Sequence, residues 1–550
     1  MTPMVITRIV ALAFLLLSNK GSSRTSSPVT VSDLRILNTE VSPDGFPRLG
    51  IVAEGSFPGP VISGQKGDSF EINVINDLTE ESMLTSTSIH WHGLHVKGSN
   101  WADGTASVTQ CPITAGHAFL YKFRAGNQAG TYWYHSHLGE KFVVVFILFN
   151  NASSTASQYC DGLRGPLIIY DLEDPHASLY DVDDKHTIIT LSDWYRECRY
   201  FTDVVAYPES LTALASTPNS TLINGLGRYQ GGPKSPLAVI NVEFGKRYRL
   251  RIISMSCDPF FTFSIDGHNF TIMEADGVNT EPVVVEAFEI FAGQRYSAIL
   301  HASQDINNYW IRANTSKGPG GFEGGINQAI LRYRGAPFLE PTDSHTTPLR
   351  FLRETDLHPL EDPEAPGAPD TDGADISINL VFEKDVEKGK YLMNGVPYVP
   401  PTIPVLLQIL SMASDVASLI PAKSIYYLPP NKTVQISMPI GDVPGNPHPM
   451  HLHGHTFSVV RSAGSSEYNY VNPVRRDVVS AGDKNDNVTF RFRTDNSGPW
   501  FFHCHIDGHL ERGMAVVFAE DVSGVASANP VPSKHQRDAD EGNLPHVVIS

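Results

Sequence analysis

At 550 residues the chain exceeds what one hydrophobic core sustains, because single cores stop growing near about 250–300 residues, so several domains are implied. An apolar content of 41% with 10% aromatics excludes global disorder. A net charge of −18 argues against nucleic acid or an anionic membrane surface as a partner, and 44 glycines with 39 prolines favour short strands over long helices.

The chain opens as a secretory signal, assigned to residues 1–23: Arg8 precedes nine apolar residues at 9–17, and a Ser/Gly-rich stretch follows. Nine apolar residues cannot cross about 30 Å of hydrocarbon, and no other run reaches 18, so no membrane anchor is expected. Six Asn-x-Ser/Thr sequons (Asn151, Asn219, Asn269, Asn314, Asn431, Asn487) fit a glycosylated, extracellular protein. Strands are predicted at 70–75, 187–191, 248–253, 297–301 and 433–438, each short, rich in β-branched or aromatic residues and bounded by turn formers. The Pro/Asp/Glu-rich stretch 361–375 reads as an interdomain linker or a long surface connection, and 402–419 holds a candidate short helix. Regular short strands with turn signals predict an all-β fold of sandwiches or barrels, with three units of roughly 150–190 residues fitting the length. Of the five cysteines (Cys111, Cys160, Cys198, Cys257, Cys504), an odd number in an oxidising compartment, Cys504 is the candidate free thiol, because two histidines flank it.

The 21 histidines gather in four clusters: His90-Trp91-His92, His135-Ser136-His137, His448-Pro449-Met450-His451-Leu452-His453, and His503-Cys504-His505 followed by His509. Each contains a His-x-His pair. On a strand, residues i and i+2 share a face, so each pair aims two imidazoles into one volume. Four pairs are the ligand set of a multinuclear site. A structural zinc site needs four ligands, far fewer than ten imidazoles and a thiolate. The middle residue of a pair faces the other way, so Cys504 points to a different metal from His503 and His505. With His448 and His509 it supplies the His₂Cys set of a blue copper electron-transfer site. Met514, ten residues further on, is a candidate for its weak axial position or else core filling.

These stretches resemble those of the multicopper oxidases, most closely the fungal laccases of basidiomycete type. Matching motifs are HWHG (90–93), NWADG (100–104), GTYWYHSHL (130–138), YCDGLRGPL (159–167), HPMHLHGH (448–455) and GPWFFHCHIDGHL (498–510), and the likeness runs from about 33 to 532. The resemblance implies three cupredoxin-like Greek-key β-sandwich domains, placed at 24–173, 174–345 and 346–550. It implies four copper ions: one type 1 held by His448, Cys504 and His509; one type 2 held by His90 and His451; and two type 3. The type 3 pair would be held by His92, His135 and His505 on one side and His137, His453 and His503 on the other. Asp258, in Ser-Cys-Asp-Pro, matches the family carboxylate that accepts the proton of a phenolic donor. Asp103 matches an acid that delivers protons to reduced oxygen. The reactants implied are phenols or aromatic amines and O₂, with four one-electron oxidations per O₂ reduced to water, by a secreted monomer. Other donors (ascorbate or Fe²⁺) are the neighbouring alternative, and a copper-free binding protein is disfavoured because all eleven ligands are present. His95, His117, His268 and His455 are expected in packing or surface roles, with His455 a candidate to orient its neighbours.

Three departures from the family pattern stand out. Twenty-two residues separate His137 from Cys160, where the family has a short connection, and the excess at 139–156 carries an apolar run at 142–149. That insert reads as a retained intron, which would give an inactive product, or as a real loop over the cluster entrance. The tail 533–550 lacks the cysteine that usually pairs with the position of Cys111, whereas Cys160–Cys257 is the disulfide the family pattern implies. Finally, Gly508 stands where the family carries a bulky residue. It and Met514 would retune the blue site, and Met ligation would lower its potential relative to an apolar axial residue.

Overall fold

The computed structural model describes residues 29–138, 157–196, 217–342, 347–411, 424–441, 443 and 447–530. The signal at 1–23, the insert at 139–156, Cys198, the sequon at Asn151 and the tail 533–550 lie outside the described residues.

Strand formation follows period-two burial. In Ser69–Asn76, Phe70, Ile72, Val74 and Asn76 are buried while the alternate residues stay partly exposed. The five predicted strands are present as Ser69–Asn76, Ile188–Trp194, Arg247–Ser254, Arg295–His301 and Thr433–Pro439. Thr187 instead closes a 3₁₀ turn capped by Asp184.

The sheets group into three sandwiches along the chain. Two four-stranded sheets span 29–170, a seven-stranded and a five-stranded sheet span 188–333, and two five-stranded sheets with a two-stranded ribbon span 376–520. The first and third sandwiches each begin with a strand paired in parallel to a later one: Val29–Val41 with Ser69–Asn76, and Ile376–Asn379 with Thr433–Pro439. Such pairing needs a crossover instead of a hairpin, as Greek-key sandwiches provide. The candidate helix at 402–419 is a six-residue helix, Val405–Leu410. Residues 361–375 are a surface connection pinned to the third sandwich, not a free linker: Arg491 donates to the carbonyls of Pro366, Ala368 and Asp370, and Thr433 N donates to Asp375.

The sandwiches are tied by interactions that also frame the site. Trp500, from the third, packs in the core of the first. The Cys160–Cys257 disulfide closes a separation of 97 residues between the first and second, a loop whose closure stabilises by about 4.7 kcal/mol in the chain-entropy account. Cys111 makes no disulfide among the described residues. Buried ion pairs Arg295–Asp477 and Arg476–Asp276 join the second and third, while Arg251–Asp183 lies within the second.

Candidate metal centres

Two pairs of strands carry the histidines. Ile89–His92 runs antiparallel to Gly130–Ser136 with His90 opposite His135. Pro449–Leu452 runs antiparallel to Gly498–Cys504 with His451 opposite His503. All four strands are buried along their length. The first and third sandwiches meet on these faces, so eight imidazoles converge on one volume. Their ligand atoms gather in the groups His90/His92/His451, His92/His135/His505 and His137/His453/His503, each within 4.8 Å.

The tautomers follow from the partners. Backbone carbonyls only accept, so Nδ1 carries the proton in His90 (to Asp103 O, 2.7 Å), His135 (to Ser136 O, 2.8 Å), His451 (to Asp477 O, 2.9 Å) and His503 (to Cys504 O, 2.9 Å). Their Nε2 lone pairs then face inward, and those of His90, His135 and His451 are buried without a hydrogen-bond partner. His92 is the reverse: its Nε2 donates to Asp477 Oδ1 at 3.2 Å, which leaves Nδ1 directed at His505 Nε2, 3.2 Å away. His503 Nε2 lies 3.3 Å from His137 Nε2 and 3.1 Å from His453 Nε2. Burial, then the neighbouring imidazoles, holds His92, His135, His137, His451, His453 and His505 well below the usual histidine range. Neutral rings with lone pairs converging at such separations repel one another unless a cation lies between them. Metal–nitrogen bonds of about 2.0–2.1 Å at near-tetrahedral angles set ligand atoms about 3.3 Å apart. The residues fit bound metal.

Two glycines hold the backbone close enough. Gly104 has φ 89°, and a Cβ there would lie 1.7 Å from Ile89 O, so only glycine lets the 103–104 turn press Asp103 against His90. Gly293, with φ 85°, lets the second sandwich reach the rings of His92 and His505.

On the opposite face of the Gly498–Cys504 strand, Cys504 sits among Met450, Ile506 and Met514. Its Sγ lies 3.8 Å from His448 Nδ1 and 3.5 Å from His509 Nδ1, and the two nitrogens are 3.0 Å apart. His448 just precedes the Pro449–Leu452 strand, and His509 lies in the short helix Asp507–Leu510. Met514 closes the loop, its N donating to His509 O at 3.0 Å and its O accepting from Cys504 N at 3.1 Å. Burial holds His448 down at about 4 and pushes the Cys504 thiol up. A coordinated cation is what favours the thiolate here. The donor set, two imidazoles and a thiol, suits copper.

Asp103 reaches two histidines of the cluster. Its carboxylate is 3.1–3.2 Å from His453 Nδ1 and 3.3 Å from His90 Nδ1, and Thr105 Oγ1 donates to it at 2.7 Å. Asp258 lies at the other centre. Asp507 N, at the start of the helix that carries His509, donates to Cys257 O at 2.9 Å. The field of Asp258 helps raise the Cys504 thiol, after burial. Lys317 Nζ approaches Asp258 Oδ2 to 2.5 Å. His268 bonds Tyr333 Oη and Asp266 O, His117 bonds Thr114, and His95 bonds Thr456, as packing and surface roles require. His455 is buried, 3.0 Å from Glu520 and 3.2 Å from His453 O, so it touches the backbone of a cluster histidine.

Sequence reasoning missed Asp477, which touches His92 and His451, and Arg295, which pairs with Asp477. The one signal was a charged trio, Arg475-Arg476-Asp477, between Val474 and Val478-Val479. It also missed Lys317, and Tyr391, whose ring lies 4.4 Å from that of His509.

Three stretches match multicopper oxidase family models: residues 35–174, 185–336 and 398–524. A laccase of Trametes hirsuta is 56% identical over 504 residues, covering 91% of this chain and 92% of the relative. Laccase-2 of Pleurotus ostreatus is 55% identical over 507 residues, 90% of each chain. Among solved structures, the laccase from Botrytis aclada superposes with a TM-score of 0.76 at 29% identity, covering 94% of this chain and 93% of that one. Fet3p, described as a multicopper oxidase that functions in iron import, gives 0.77 at 26% identity, covering 94% and 95%.

Proposed function

The chain belongs to the multicopper oxidase family and is an oxidoreductase of the laccase kind that binds four coppers and oxidises phenolic donors at the expense of O₂, and from that membership we propose which of its residues do the work. The type 1 copper would be held by His448, Cys504 and His509, with Met514 a further candidate ligand. His90 and His451 hold the type 2 copper. His92, His135 and His505 hold one type 3 copper, and His137, His453 and His503 the other. The observation that carries this reading is Cys504 itself: it is bonded through backbone to His503 and His505, one in each type 3 set, while its own side chain lies with His448 and His509 on the other face.

Copper held at these two centres would supply the one-electron redox chemistry that couples the donor to O₂. The chain does the rest. Asp258 takes the phenolic proton at the donor edge, so the electron leaves a phenolate-like ring. The His503-Cys504-His505 backbone is the path between the centres. Asp103, bonded to Thr105 and His453, holds and passes protons toward the trinuclear volume. We further propose domain boundaries at 173/174 and 345/346, supported by the three family matches, and an exported, glycosylated monomer. Among the described sequons Asn269, Asn314 and Asn431 are exposed, and no described helix is long and apolar enough to cross a membrane.

Purified protein is expected to carry about four coppers, to show an intense blue thiolate-to-copper band and to oxidise four phenols per O₂ consumed. Little copper and no blue band would sink the reading. Fe²⁺ is not favoured as donor, because the carboxylate at the edge is already ion-paired to a lysine. Asp258→Asn keeps the shape but loses the base. It is expected to lower kcat/KM for a phenol by roughly 10²-fold while leaving the copper content and blue band intact. An unchanged pH–rate profile for the phenol would remove Asp258 from this role.

A further inference from the structure

The mononuclear centre is ringed by positive charge in a chain whose net charge is −18. Lys317 pairs with Asp258, Lys384 lies over the ring that packs on His509, and Arg512 directly follows the turn that ends the His509 helix; all three are half-buried. Lys317 is fixed by local bonds. Its N donates to Thr315 Oγ1, Ser316 N donates to Phe260 O at 3.0 Å, and Phe260 N donates to Ser316 Oγ at 3.1 Å. The 315–317 turn is therefore stitched to the segment that carries Asp258, and the ammonium meets the carboxylate. Lys384 Nζ lies over the Tyr391 ring, 5.1 Å from its centroid, and Tyr391 in turn lies against His509. Tyr391 N donates to Arg512 O at 3.0 Å, a backbone bond that holds the strand of Tyr391 against the segment that carries Arg512.

Only Lys317 of the three is ion-paired; Lys384 and Arg512 have no carboxylate partner among the described residues. Three cations held together and matched by one carboxylate repel one another. A neutral phenol gains nothing from them, whereas an anionic donor relieves the repulsion as it lands.

We propose that Lys317, Lys384 and Arg512 form a basic rim that selects phenols carrying a carboxylate. Lys317 leaves Asp258 for the donor's carboxylate as the donor binds, which frees Asp258 for the phenolic proton. This rests on the reading that phenols are oxidised at this edge with Asp258 as base.

The test uses the copper-loaded enzyme and two donors with the same ring, syringic acid and its methyl ester. At about pH 6 the carboxyl is ionised and lysine charged. The wild type is expected to prefer the acid by about tenfold in kcat/KM, and Lys317→Ala to reduce that preference by roughly three- to tenfold, partly by raising turnover of the ester as Asp258 is freed. Lys317→Arg should restore it. A redox-inert anion gives a second readout: inhibition by 3,4,5-trimethoxybenzoate, which has no phenol to oxidise, should weaken by a similar factor in Lys317→Ala. An acid-to-ester ratio and an inhibition constant both unchanged within about twofold would overturn the rim while leaving phenol oxidation standing. If the wild type oxidises neither donor, the reading of this edge falls and the rim with it.

Discussion

Replacing Cys504 with serine is expected to abolish the blue band, to lower copper from about four to about three per chain, and to reduce phenol oxidation by about 10³-fold or more, equivalent to about 4 kcal/mol. Serine is nearly the same size, and its neighbours Met450, Ile506 and Met514 keep their packing. The backbone bonds from Cys504 N to Met514 O and from His505 N to Pro449 O do not involve the side chain. The eight imidazoles therefore keep their places and the trinuclear coppers are retained. What is lost is the soft thiolate that makes the mononuclear site selective for copper, together with the covalent start of the path to His503 and His505. Metal analysis and the visible spectrum read the first loss, and oxygen uptake with a phenol reads the second. Retention of the blue band or of phenol oxidation would remove Cys504 from the electron path.

The histidine clusters were legible because strand geometry has a period of two and the residues fall in His-x-His pairs. The rule worked even at its limits: His137 and His505 each lie one residue past the end of their strand, yet both join the cluster, their backbone N–H groups donating to Ser88 O and Pro449 O. The three sandwiches were legible from strand spacing, and the Cys160–Cys257 bond from the family pattern. The interactions that orient the ligands were not. Arg295 and Asp477 are 182 positions apart and Lys317 and Asp258 are 59 apart, so no local pattern announces either pair. A sequence shows which residues share a face of one strand; it does not show which strands of different sandwiches are brought face to face. The same limit applies to Tyr391, which reads as one more strand aromatic until its ring is found against His509.

Arg295→Ala is expected to be the most damaging substitution outside the ligands themselves. The side chain is fully buried and binds Asp477 through both terminal nitrogens, at 2.6 and 2.7 Å. Its Nε donates to Thr131 O in the first sandwich and Nη1 to Gly293 O in the second, so one guanidinium joins all three units. Asp477 then presents one carboxylate oxygen to His92 Nε2 and its carbonyl to His451 Nδ1. Burial pushes Asp477 up, and the Arg295 guanidinium opposes that by stabilising the carboxylate. Without Arg295 a carboxylate is left unpaired in the interior, a loss of about 3–5 kcal/mol against a total stability on the order of 5–15 kcal/mol. The thermal midpoint should fall sharply. Copper should fall below four per chain, because Asp477, which fixes the tautomers of His92 and His451, is no longer held in place. The double variant Arg295→Met with Asp477→Asn separates the two effects. Removing both charges should recover much of the stability, as replacement of buried ion pairs by apolar groups often does, while the weaker amide partner leaves copper binding impaired. Full copper and an unchanged midpoint in Arg295→Ala would mean that the junction orients these histidines by packing alone.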